Sequence, residues 1–140
     1  ALTTPGLAAS LIADGVHVHP TMLRLAFDVL GDRAVVVTDA VAWRAGSVGP
    51  VGLALVDGAP RLPDGTLAGS TATMEQSIRV LVTRAGIPLE AAVRAASATP
   101  ARLLGLGDRG AIRPGARADL VALTSDLHVA QTWVGGVPAR

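Results

Sequence analysis

Half of the 140 residues are hydrophobic, yet there is one Phe, two Trp and no Tyr, so a sizeable core has to be built from Ala, Val and Leu. Twelve Lys and Arg stand against eleven Asp and Glu and are scattered rather than striped, which argues against nucleic acid as a partner; no apolar run reaches the roughly 18 residues of a membrane-spanning helix. A charged fraction of 16% with aperiodic Gly and Pro excludes disorder and a collagen-like fibre, and zero Cys excludes disulfides, Cys-based zinc sites and a thiol nucleophile, as suits a cytoplasmic protein.

The first ten residues carry no basic region followed by a long apolar stretch, and so do not read as a secretory signal. Residues 10–15 (SLIADG) form an apolar run ending in polar residues and a glycine, which predicts a buried parallel strand with His17 just past its carboxyl end. Pro20 suits a first helical position, Met22, Leu23, Ala26, Phe27 and Leu30 recur at helical spacing, and Gly31 supplies the stop. Residues 34–38 (AVVVT) repeat the strand pattern without alternation, predicting burial on both faces, and end at Asp39.

Between Gly46 and Gly69 the segments 52–56 and 59–62 flank Asp57-Gly58, a hairpin signal. Ser70 or Thr71 is the expected cap of a helix with Met74, Ile78, Leu81, Val82 and Ala85 on one face, ended by Gly86. Pro88 opens a second helix through Ala96, and Thr99-Pro100 is expected to cap a short third over residues 101–104, closed by Gly105. After Gly110 the pattern predicts short strands at 111–112, 119–123 and 129–134 with tight turns at Pro114-Gly115 and Gly135-Gly136, a small β appendix. Two strand–helix units and an appendix do not close a sheet, since an eightfold barrel takes about 250 residues. Further strands are therefore expected upstream of Ala1, a start that lacks Met.

Asp39 is the strongest candidate for chemistry, because a carboxylate straight after an apolar strand sits where parallel α/β folds place their sites. The competing reading is a helix cap or a loop salt bridge. His17 occupies the equivalent end of the preceding strand, and a histidine there is either functional or structural. His19, before Pro20, reads as a helix-start residue, His128 as a surface residue and Asp119 as a turn or edge residue. The His-x-His of His17-Val18-His19 lies at a turn, where the two side chains need not converge, and no HExxH is present, so a complete metal site is not encoded. Residues 105–110 (GLGDRG) follow a helix rather than a strand and are no dinucleotide fingerprint. Gly69, read as lying just before a helix, exposes backbone N–H groups suited to an anion or sugar hydroxyls, or serves a plain cap.

These segments together resemble the N-acetylglucosamine-6-phosphate deacetylases of the amidohydrolase superfamily over essentially the whole chain. The resemblance rests on residues 12–18 (IADGVHV), 37–40 (VTDA), 65–70 (GTLAGS), 97–102 (SATPAR), 110–115 (GAIRPG) and 118–121 (ADLV), of which the first and third are the most specific. It implies the C-terminal portion of a metal-dependent (β/α)8 TIM barrel over residues 1–108, with an inserted hairpin near 50–63, and strands of a small β-sandwich domain over 109–140. It implies Asp39 as catalytic acid/base and a substrate site lined by Asp14, Gly15, Val16, His17, Leu67, Ala68 and Gly69, with His17 near the sugar phosphate. A divalent metal, zinc or iron, would activate water in the full-length protein, its ligands lying upstream of this chain, and the full-length protein would be a homodimer.

The implied reaction takes N-acetyl-D-glucosamine 6-phosphate to D-glucosamine 6-phosphate and acetate, and these 140 residues alone are expected to be inactive. Two alternatives stand beside it: another deacylase or cyclic amidase of the same superfamily, and a non-catalytic α/β binding domain in which Asp39 and His17 are structural.

Overall fold

A computed structural model of the chain describes residues 2–48 and 51–139. Strand β1 (Ala9–Ile12), helix α1 (Pro20–Leu30) and strand β2 (Ala34–Val37) form one β–α–β unit, its strands parallel in the register Ala9–Ala34 through Ile12–Val37. His19 caps α1, its Nδ1 accepting the Thr21 amide at 3.2 Å, with Pro20 at the first helical position and Gly31 at the stop, as the sequence predicts. A 3-10 turn at Gly31–Arg33 leads into β2. Its Arg33 guanidinium donates to the carbonyl oxygens of Leu2, Thr4, Leu7 and Val29 at 2.8–3.2 Å.

Strand β2 is the buried strand of the pair, with Ala34, Val35 and Val36 all shielded. Strand β1 differs from its expectation. It is only half-buried and Ser10 is exposed, because the four helices pack chiefly on β2 while β1 packs chiefly on β2 itself. Two parallel strands close no barrel.

Two small hairpins follow. The first, β3 (Ser47–Val48) with β4 (Val51–Gly52), has no counterpart in the sequence reading; the second, β5 (Ala54–Val56) with β6 (Ala59–Arg61), turns at Asp57-Gly58, both with positive φ. Helix α2 (Met74–Thr83) is capped neither by Ser70 nor by Thr71. Thr73 and Gln76 form a reciprocal capping box, Thr73 Oγ1 accepting the Gln76 amide and Gln76 Oε1 accepting the Thr73 amide. Helix α3 (Leu89–Ala96) starts after Pro88 as expected. Helix α4 (Ala98–Leu103) begins three residues before the expected 101, so Thr99 is not its cap but a buried residue of its first turn, donating weakly to Asp32 O at 3.4 Å.

Leu23, Ala26, Phe27 and Leu30 of α1, Ile78 and Leu81 of α2, Ala92 and Ala95 of α3 and Val36 of β2 join Ala13, Ala34, Ala85 and Ile87 in one core. It is an Ala- and Leu-rich core with a single aromatic ring, the composition the sequence dictates. Residues 111–112 are not a strand. The chain instead reaches a three-stranded antiparallel sheet of β7 (Leu120–Leu123), β8 (Val129–Val134) and β9 (Val137–Ala139), whose last strand the sequence reading lacked. Leu127 anchors this sheet against α2, where Arg79 donates to Leu127 O at 3.2 Å and Glu75 Oε2 accepts the Val129 amide at 2.8 Å. Among the described residues no helix is long and apolar enough to cross a membrane.

Within this core the Ser77 hydroxyl is fully buried with no hydrogen-bond partner, beside fully buried Leu81. Removing the hydroxyl relieves a desolvation cost, whereas removing a core leucyl group costs about 2–5 kcal/mol. Ser77→Ala is therefore expected to hold or raise the thermal midpoint of the full-length protein and Leu81→Ala to lower it by several degrees, both followed by circular dichroism.

Candidate active site

Parallel pairing brings the carboxyl ends of β1 and β2 side by side. The register closes at Ile12–Val37, so Asp14 and Asp39 each stand two residues beyond the last pair, on the rim where parallel sheets gather their functional side chains.

Asp39 turns the chain out of β2 in the left-handed region, φ 52°, which aspartate tolerates better than most residues but which still needs support from its surroundings. It is exposed, caps no helix and joins no salt bridge among the described residues, which removes the cap and loop ion-pair readings. Its main chain is what is held. The Ser70 amide donates to Asp39 O at 2.8 Å, the Val41 amide donates back to Ser70 O at 3.1 Å, and Ala40 pairs with Ser70 in a parallel bridge.

Leu67, Ala68 and Gly69 reach this turn from the second hairpin. Leu67 bridges to Arg61 and the Ala68 amide donates to Pro60 O at 2.9 Å. Gly69 then passes so close that an added Cβ would fall 2.9 Å from Asp39 O and onto the Val41 side chain, at a φ of +88°. Glycine is needed there for both reasons. The expectation that Gly69 lies at a helix start is corrected: α2 begins only at Met74, and the Ala68 amide is already engaged.

The Asp14–His17 turn is organised by one carboxylate. Asp14 Oδ1 accepts the Val16 and His17 amides at 2.9 Å each, and Oδ2 lies 2.7 Å from His17 Nδ1, with the two side chains 6% and 15% exposed. Burial pushes the Asp14 carboxyl up, but the His17 and Val16 amides and the His17 ring outweigh it and hold the group below its ordinary value. Nδ1 is thereby committed to Asp14, and Nε2 is the ring's remaining hydrogen-bonding atom. Gly15, φ +82°, leaves space for the Arg84 guanidinium, which would collide with any Cβ at that position. Val16 at the tip is 42% exposed.

His19 and His128 are not brought to this rim. His19 is the α1 cap, and His128 is 54% exposed beside Arg79 and Glu75 in the β appendix. Asp119 braces the last turn, accepting the Gly135 amide at 2.8 Å. Sequence reading missed the Asp14–His17 pair, although a carboxylate three residues before a histidine across a glycine was its signal; it also missed the fastening role of Ser70, which has no local signature. A cleft of about 280 Å³ between α1 and α3 lies at the other end of the β–α–β unit, beside Gly31 and Asp32, and its Arg24 and Arg94 are paired with Asp28 and Asp32.

The sequence profile of the amidohydrolase family matches residues 4–139. The chain belongs to the amidohydrolase family. It is 39% identical over 132 residues to a putative N-acetylgalactosamine-6-phosphate deacetylase of Escherichia coli K12, covering 90% of this chain and 79% of that one. It is 33% identical over 141 residues to the N-acetylglucosamine-6-phosphate deacetylase of Vibrio furnissii, covering 96% of this chain and 35% of the relative. The crystal structure of N-acetylglucosamine-6-phosphate deacetylase from Pasteurella multocida superposes with a TM-score of 0.91 at 32% identity, over 99% of this chain and 38% of that one. The chain thus spans little more than a third of the length of the latter two.

Amidohydrolases are generally metal-dependent. The donor set here does not fit a metal by itself: among the described residues no three His, Asp or Glu side chains are grouped to hold an ion, and of the histidines His17 is committed through Nδ1 and His19 to a helix cap.

A depressed carboxyl pKa stabilises the fold fully above the ordinary value of 3.8, and that contribution is lost as pH falls through the lower folded value. Asp14→Asn is therefore expected to be less stable than the parent near neutral pH, with the gap narrowing below about pH 4. Urea unfolding across that range measures it; a gap independent of pH would contradict the assigned carboxylate interactions.

Proposed function

We propose that the full-length protein hydrolyses the acetamide of N-acetyl-D-glucosamine 6-phosphate, giving D-glucosamine 6-phosphate and acetate. In this reading residues 1–108 are the C-terminal part of a (β/α)8 barrel with its inserted hairpin, and 109–140 are strands of a small β-sandwich domain. The observation that carries it is the juxtaposition, on one sheet rim, of an exposed Asp39 carboxylate with no ion-pair partner among the described residues, the Asp14–His17 pair and the 67–69 segment. The similar N-acetylglucosamine- and N-acetylgalactosamine-6-phosphate deacetylases support the substrate class.

In the proposed chemistry the Asp39 carboxylate takes a proton as the water oxygen bonds to the acetamide carbon. The same proton then passes to the sugar nitrogen as the C–N bond breaks, leaving a free amine and acetic acid, which releases its remaining proton to solvent as acetate. His17 binds the 6-phosphate through Nε2, its Nδ1 being held by Asp14. The backbone of Gly15, Val16, Leu67, Ala68 and Gly69 lines the sugar. A divalent metal, zinc or iron, is assigned to residues outside this chain. A cytoplasmic homodimer is the setting this reading takes from its resemblance.

The Escherichia coli relative favours a second substrate, N-acetylgalactosamine 6-phosphate, which carries the same acetamide and phosphate and differs only in the sugar epimer. Acetate release from the two epimers by the full-length, metal-supplemented protein separates these readings, and no release from either leaves a cyclic amide substrate or a binding domain. Asp39→Asn is expected to lower turnover about a hundred- to ten-thousandfold without unfolding the protein. His17→Asn is expected to raise KM for the phosphorylated sugar about tenfold or more while barely changing KM for its unphosphorylated counterpart. Near-normal turnover in the Asp39 variant would remove the acid/base assignment.

A further inference from the structure

Ser70 is 1% exposed, and every polar atom it has is spent on the chain around Asp39 or on its own turn. Its amide donates to Asp39 O at 2.8 Å, its hydroxyl donates to Thr38 O, its carbonyl accepts the Val41 amide at 3.1 Å, and its Oγ accepts the Ala72 amide at 3.1 Å. Two consecutive carbonyls, those of Thr38 and Asp39, are thus gripped by one residue that is 31 positions beyond Asp39 in sequence. The grip spans the point where the backbone leaves β2 for the left-handed φ of 52°. A non-glycine residue keeps that conformation only where its surroundings over-determine it, and here the surroundings are Ser70 and the close-passing Gly69.

We propose that Ser70 is a positioning residue for Asp39: its buried hydroxyl and amide, clasping the Thr38 and Asp39 carbonyls, fix the backbone from which the Asp39 carboxylate reaches the reacting atoms. Ser70 touches no substrate in this scheme. It acts through the direction of the Asp39 Cα–Cβ bond, and a small angular error there becomes a misplacement of about an ångström at the carboxylate, enough to cost roughly a hundredfold in rate. The proposal rests on Asp39 being the acid/base.

The test uses the full-length, metal-supplemented protein and steady-state kinetics. Ser70→Ala is expected to lower kcat about ten- to a hundredfold with KM within about twofold, because the lost interaction serves the proton transfer and not binding. Ser70→Thr, which keeps the hydroxyl, is expected to recover most of that loss; Ser70→Cys, of similar size but a weak donor, is not. In the Asp39→Asn background Ser70→Ala is expected to cost nothing further, whereas a residue serving general stability would depress the residual rate additively.

Parental kcat in Ser70→Ala, or in Ser70→Cys should the alanine variant fail to fold, overturns the proposal, as does an additive loss in the double variant. Undiminished turnover in Asp39→Asn alone overturns the acid/base reading and this proposal with it. The two failures are distinguished because the first leaves the large loss of turnover in Asp39→Asn in place.

Discussion

Parallel hydrogen bonding between β1 and β2 is the interaction on which the rest depends. It is only four residue pairs long, yet it sets two loops level that are otherwise separated by the whole of α1. Because both strands run the same way, both deliver their next residues to one rim. Asp14 and Asp39 are neighbours for that reason and not because of any attraction between them. An antiparallel pair would have placed one of the carboxylates at each end.

The two aspartates then diverge through their surroundings. Asp14 is shielded and saturated: two amides and an imidazole nitrogen occupy its oxygens, so it fixes a turn and the orientation of a histidine ring and has little capacity left for a substrate. Asp39 is the reverse. Its peptide group is tied down while its carboxylate is left without an ion-pair partner among the described residues. A fixed main chain and an unengaged tip are what the proposed proton transfer would ask of Asp39.

Local pattern made most of the elements legible. Apolar runs gave both strands, helical spacing gave α1, α2 and α3, and Asp57-Gly58 gave its hairpin, since each depends on neighbours a few residues apart. The misreadings arose where distant groups compete for a side chain. Ser70 has the composition of a cap, but the Thr38 carbonyl across the fold takes its hydroxyl, leaving capping to Thr73. Thr99 likewise is buried against Asp32 O, so the helix starts earlier than its Thr-Pro signal suggested. For the site, Asp39 and His17 could be singled out from their places after apolar strands. The Asp14–His17 contact and the Ser70 clasp could not, because they are three-dimensional facts with only weak or absent sequence signatures.

Arg33 gives the pairing of β1 with β2 a mechanical origin at the opposite end of the unit. One planar guanidinium gathers carbonyls from Leu2, Thr4 and Leu7 just before β1, and it does so from the residue immediately before β2. The two strands consequently set out from a common datum, and a slip of one residue would have to break several of these bonds at once while turning every β1 side chain to the wrong face. The alignment of the rim residues Asp14 and Asp39 is therefore calibrated at the base of the sheet, by an arginine at the opposite end of both strands.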